Sequence, residues 1–96
     1  MGRHYTDEQV QIAIAALKAE FPGTWERIKS VKRAPIADFQ DNREKISSTI
    51  GAMDITFKKL PFLGRYDRAL LELIQDVCDV AAAEVDAESP DFGSAN

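Results

Sequence analysis

The sequence predicts an all-α fold, a small bundle of about four helices with a disordered acidic C-terminal tail. Two observations lead to this prediction: apolar residues recur at helical spacing in four runs, and proline or glycine separates the runs. The chain has 96 residues, a length that suits one domain with one core. We therefore predict a single helical domain over residues 1–86 and a flexible tail over 87–96.

The first helix is predicted over residues 7–20. Thr6 and Gln9 have the spacing of a capping box, in which each side chain bonds the free backbone N–H of the other residue. The dipeptide Pro22-Gly23 interrupts the pattern and ends the helix.

The second helix is predicted over residues 24–33, with Thr24 as its N-cap. Pro35 disfavours helical geometry at the preceding residue, so the helix ends before it. The apolar side of this short helix consists of Trp25, Ile28 and Val31, and the remaining side is basic.

The third helix is predicted over residues 38–60. Its apolar stripe has a 3–4 spacing, with Arg43 at one position of the seam. Gly51 and several β-branched residues weaken this prediction, and a strand at Ile55–Phe57 is the alternative. The stripe consists of Phe39, Ile46, Ile50, Met53, Phe57 and Leu60.

The fourth helix is predicted over residues 65–86 and has two adjacent apolar stripes. A face this wide is typical of a central helix that contacts several neighbours. Taking the four helices together, we expect the following residues in the core or in an interface: Trp25, Ile46, Ile50, Phe57, Leu70, Leu73 and Val77.

Charge is segregated along the chain. The formal net charge is −4, yet residues 27–68 contain ten basic and five acidic residues, and residues 69–96 contain seven acidic residues and no basic one. Such asymmetry bears on binding partners more than on the fold. Three interpretations of the acidic fourth helix stay open: it binds a basic protein partner, it mimics a phosphate backbone, or its exposed acids keep a small domain soluble. The candidate residues for contact with a protein partner are Glu72, Asp76, Asp79 and Glu84.

The loop between the third and fourth helices is unusually apolar. Phe62 and Leu63 lie between Pro61 and Gly64, and loops are more often polar. Two interpretations stay open: the pair fills the core of its own chain, or it anchors a protein partner.

The basic second helix supports an alternative function. The short Pro-Gly loop before it resembles the turn of a helix-turn-helix, which would present Arg27, Lys29, Lys32 and Arg33 to DNA. A sequence pI of about 4.9 argues against this, because DNA-binding domains are usually basic.

Catalytic and cofactor chemistry are not expected. The one histidine, His4, is near the terminus, and the one cysteine, Cys78, lies among small apolar residues. Glu72, Asp76 and Asp79 share one straight helix, which cannot direct enough oxygen ligands at a hard cation. We therefore predict no enzyme activity, no metal and no cofactor.

These observations predict a non-enzymatic protein–protein interaction module. Its size and acidity suit a small inhibitor or adaptor of the kind found in phages and mobile elements, acting through helical faces. An apolar surplus on the two long helices predicts a homo-oligomer, most simply a dimer. The single cysteine fits a reducing cytoplasm, and no apolar run approaches the roughly 20 residues that span a bilayer, so no membrane contact is expected.

Overall fold

The computed structural model confirms the all-α prediction. It describes residues 4–33, 39–64 and 67–88, with the side chains of 39–42 excepted, and no part of these ranges forms a strand. The segment at Ile55–Phe57 is helical, so the strand alternative is wrong. The helices are α1 (Asp7–Glu20), α2 (Thr24–Arg33), α3 (Phe39–Phe57) and α4 (Asp67–Glu88).

The predicted capping box at the start of α1 is confirmed. The backbone N–H of Gln9 donates to Thr6 Oγ1 at 3.1 Å, and the backbone N–H of Thr6 donates to Gln9 Oε1 at 3.1 Å. Two of the N–H groups that a helix start leaves without intrahelical partners are thereby satisfied.

The start of α2 depends on Gly23 rather than on Thr24. The carbonyl of Gly23 accepts the first helical hydrogen bond, from the backbone N–H of Arg27 at 3.0 Å. Gly23 has φ +95°, a left-handed conformation that glycine adopts without steric cost. Thr24 is therefore the first residue inside the helix and is buried, not its N-cap.

Two helix ends differ from the prediction. α3 ends at Phe57, because Lys59 and Leu60 donate their backbone N–H groups to carbonyls only three residues back, at 3.2 and 3.0 Å. α4 continues to Glu88, two residues past the predicted end, and Glu88 contacts Lys29 and Arg33 of α2. The rest of the predicted tail, residues 89–96, and the predicted helix start at 65–66 lie outside the described residues.

α4 packs against all three other helices, as its wide apolar face predicts, but the same is true of every helix in the bundle. What distinguishes α4 is that it contributes the largest share of the core, with Leu70, Leu73, Val77, Val80, Ala81 and Val85 buried. Trp25 and Phe57 are buried with them, as predicted, and Val10, Ala13, Ile14 and Leu17 add the inner face of α1.

Ile46 and Ile50 depart from the core prediction. Their side chains are 41% and 44% exposed, although the next members of the same stripe, Met53 and Phe57, are buried. The N-terminal half of α3 thus has an apolar surface that the described part of the chain leaves open. That Ile46 and Ile50 lie in an interface with another molecule stays a prediction.

None of the helices, over the described ranges, combines the length and apolar character needed to cross a bilayer.

We predict that Leu73→Ala lowers the free energy of unfolding by about 2–5 kcal/mol, because the substitution leaves a cavity at a fully buried position. The control is Leu71→Ala, in the same helix, where the side chain is 64% exposed. It should change stability by under about 0.5 kcal/mol. Urea denaturation of both variants measures the difference, and equal losses would contradict the placement of these two faces.

Candidate functional site

The carboxylate of Asp76 is buried and hydrogen-bonded within its own chain. Its side chain is 2% exposed, and Oδ2 accepts hydrogen bonds from the backbone N–H groups of His4 and Tyr5, at 2.9 and 3.0 Å. The His4 ring lies beside the same carboxylate, with Nδ1 at 3.5 Å from Oδ1. A buried carboxylate requires such donors, so the geometry gives Asp76 the role of tying the N-terminal segment to α4.

Tyr5 secures the same segment. Its hydroxyl donates to the carbonyl of Ala69 at 2.9 Å, and its ring contacts that of Phe62 at a centroid distance of 5.9 Å. Partial burial raises the pKa of Tyr5, and the carboxylates of Glu72 and Asp76 raise it further. The N-terminal segment therefore crosses α4 and the loop before it.

The apolar loop contributes to the core of its own chain. Leu63 is buried in the core cluster, and Phe62 is partly buried against it and against Tyr5. This arrangement accords with the core-filling interpretation. The other interpretation, that Phe62 and Leu63 anchor a protein partner, stays a prediction.

The acidic end of α4 faces the basic side of α2. Lys29, only 4% exposed, forms ion pairs with Glu88 and, at 3.3 Å, with Glu84. Arg33 also pairs with Glu88, and the indole N–H of Trp25 donates to Glu84 at 3.2 Å. The opposite charges of the two segments are thus joined within one chain.

These contacts shift the pKa values of the paired groups. Hydrogen bonds from Lys29 and then from Arg33 lower the pKa of Glu88. The bond to Glu88 raises the pKa of Lys29, although desolvation of its ammonium group opposes the shift. Both groups consequently keep their charges over a wider pH range than when they are unpaired.

The remaining predicted contact residues are distributed over several surfaces. Glu72 is partly buried, 3.7 Å from Arg68 and 3.8 Å from His4, whereas Asp79 is exposed. Of the basic residues of α2, Arg27 donates to Ser48 Oγ at 3.0 Å and Lys32 is exposed. Neither the four acidic nor the four basic residues form one free patch.

A groove between α2, α3 and α4 is the most distinctive open feature of the described chain. Its volume is about 190 Å³, below the roughly 300–1,000 Å³ of typical small-molecule sites. Ile46 and Ile50 form one wall, and only Lys32 and Thr49 contribute polar side chains. The full lining is Ile28, Val31, Lys32, Ile46, Thr49, Ile50, Met53, Ile74 and Cys78.

Sequence reasoning missed this groove as a site. The periodicity placed Ile46 and Ile50 on the α3 stripe, but it could not show that no helix of the described chain covers them. A usable signal was present in Arg43, a charged residue within that stripe, which is exposed. Arginine is almost never fully buried unless it is paired, so a charge at a seam position indicates that the seam is exposed there.

The thiol of Cys78 lies in the groove without the environment of a nucleophile. Burial raises the pKa of Cys78; Lys32 opposes this, and Asp79 adds to it. A reactive cysteine needs the opposite shift, towards the thiolate. Among the described residues, moreover, no three His, Cys, Asp or Glu side chains converge as a metal site would require.

Comparison of the chain with protein-family models, with curated protein sequences and with solved structures found no match.

We predict that Asp76→Ala frees the N-terminal segment, because the backbone N–H groups of His4 and Tyr5 lose their acceptor. Hydrogen exchange at these two amides should accelerate at least about tenfold, since exchange follows local opening. Asp79→Ala, which removes an exposed carboxylate one turn further along α4, is the control and should leave both amides protected. Unchanged exchange in the Asp76 variant would show that these two hydrogen bonds do not hold the N-terminal segment against α4.

We predict that Glu88→Gln makes stability less sensitive to acid. A carboxyl group with a lowered folded-state pKa stabilises the protein above its unfolded pKa, near 4.5, and that contribution is lost as the pH falls through the folded value. Melting temperatures between pH 7 and pH 2 should therefore fall less steeply in the variant than in the wild type. Asp86→Asn, at an exposed position in the same turn, should retain the wild-type profile; identical slopes for all three proteins would contradict the pairing.

Proposed function

We propose that this protein is a non-enzymatic protein–protein interaction module that binds its partner through the groove between α2, α3 and α4. The observation that carries the proposal is the exposure of Ile46 and Ile50, at 41% and 44%, along an apolar groove. Leaving two isoleucines in contact with water costs free energy that covering them recovers, at about 25 cal/mol per Å² of apolar surface.

The shape and chemistry of the groove support a protein partner over a small molecule. The groove is bordered by helices on three sides, so its geometry suits apolar side chains projecting from one face of a helix. Its few polar lining groups could not orient a small ligand with the specificity that such sites show. Asp79, exposed on α4 beside Cys78, offers a position for a basic residue of the partner.

The charge pairing between α2 and α4 makes the DNA-binding alternative the weaker one. Lys29 is buried and Arg33 is paired with Glu88, so two of the four cations would have to leave acidic partners before they contacted phosphate. Each phosphate contact normally contributes through a free cation that displaces condensed counterions. The basic side of α2 therefore supports DNA binding less well than the groove supports a protein partner.

We propose further that the protein is a small acidic inhibitor or adaptor of phage or mobile-element type. Such a protein needs no more than one helical domain with one binding groove. A single thiol suits a reducing cytoplasm. A homo-oligomer formed through the groove is compatible with this function, because a second copy is also a protein partner.

We predict that Ile46→Asp combined with Ile50→Asp abolishes partner binding, since two carboxylates would be desolvated against an apolar surface. Immobilised wild-type and variant proteins are incubated with lysate of the native host, and retained proteins are quantified by mass spectrometry.

The matched control carries Ile12→Asp and Ile55→Asp, which change two isoleucines of similar exposure, 46% and 49%, outside the groove. A protein retained by the wild type and by this control, and lost with the groove variant, supports the proposal. Retention that is equal for all three would exclude the groove as the binding surface.

A further inference from the structure

One face of α3 has opposite charges at its two ends. Arg43 lies one turn before Ile46, and Asp54 lies one turn after Ile50. At spacings of three and four residues these four side chains share one face of the helix. Arg43 is exposed and has no ion-pair partner among the described residues, and Asp54 pairs only with the neighbouring Lys58, at 3.2 Å.

Gly51 lies next to this face, and no contact among the described residues requires a glycine at this position. It is exposed within α3, its φ is not positive, and a Cβ built on it meets no atom within 4 Å. A glycine inside a helix costs about 1 kcal/mol relative to alanine. Together with Ser47, one turn earlier, it forms a low strip beside Ile46 and Ile50 on which another helix can pack closely.

We propose that the occupant of this face is a second copy of the same chain, with the two α3 helices antiparallel across a two-fold axis at the level of Ser48. This inference rests on the proposed function and names its partner. In this register Ile46 lies opposite Ile50 of the partner subunit, and each pair covers the open wall of a groove. Arg43 lies one residue from the level of Asp54 of the partner subunit, an axial offset of about 1.5 Å.

The charge order decides between the two ways of pairing the helices. A parallel pair places Arg43 against the same arginine of the partner subunit and Asp54 against the same aspartate, which is repulsive at both ends. An antiparallel pair turns both contacts into Arg–Asp pairs. A two-fold interface is self-complementary by necessity, and the order cation, isoleucine, isoleucine, anion meets that requirement in the antiparallel arrangement.

The charge order also allows a sharp test. Arg43→Asp gives a chain whose α3 face is acidic at both ends, and Asp54→Arg gives one that is basic at both ends. Each variant alone should weaken self-association by about tenfold or more, because two attractive contacts become two repulsive ones. An equimolar mixture should form a heterodimer, in which both contacts are attractive again.

Sedimentation equilibrium from low to high micromolar concentration measures the association of purified wild type, each variant and the mixture. Circular dichroism checks that each variant is folded, and recovery of association in the mixture shows the same independently. Dimeric wild type, weakened single variants and a heterodimer from the mixture support the inference. The paired control, Ile12→Asp with Ile55→Asp, should dimerise as the wild type does.

Three results would overturn the inference. A wild-type chain that keeps its 10.7 kDa mass at high micromolar concentration excludes the second copy as occupant. Single variants that associate as the wild type does, or a mixture that recovers nothing, exclude the antiparallel α3 contact. If the second copy is excluded in one of these ways, the host-lysate comparison still tests the proposed function, because it detects any other protein that the groove retains.

Discussion

A helix that is apolar over a wide arc has to be covered from several directions, and α4 meets this requirement by packing against all three other helices. Six of its apolar side chains are buried, which accounts for a large part of the favourable burial in so small a domain. The same helix has no basic residue after Arg68. Glu72 lies 3.7 Å from Arg68 of the same helix, whereas Asp76, Glu84 and Glu88 take their donors from the N-terminal segment and from α2.

The carboxylates that join elements of the fold accept hydrogen bonds from different kinds of donor. Near the C-terminus of α4, where the helix macrodipole disfavours anions, Glu84 and Glu88 lie against the ammonium group of Lys29. Near the middle, Asp76 takes two backbone N–H groups. At the end of α1, Glu20 contacts Lys59 and accepts from Thr56 at 2.9 Å, and these contacts lower its pKa. Acidic residues thus join elements of the fold at three separate places.

Local features were predictable from the sequence, and long-range ones were not. The Thr6–Gln9 capping box and the Pro-Gly break depend on residues within one turn, so the chain order shows them directly. The acceptor role of Asp76 joins residues more than seventy positions apart, and on the sequence it is indistinguishable from an exposed acid. Periodicity has the same limit, because Ile46, Ile50, Met53 and Phe57 all lie on one stripe. Only the packing of the other helices decides that the last two are buried and the first two are not.

The groove itself follows from the unequal lengths of the helices. At 1.5 Å per residue, the 10 residues of α2 extend for about 15 Å, whereas α3 and α4, with 19 and 22 residues, are about twice as long. α1 contacts the C-terminal end of α3 through Glu20, and the N-terminal segment covers α4 near Asp76. What remains is the N-terminal half of α3 where it faces Ile74 and Cys78, with only the end of α2 beneath it. Within the described residues, α2 ends at Arg33, and the side chains of Ile46 and Ile50 beyond it remain 41% and 44% exposed.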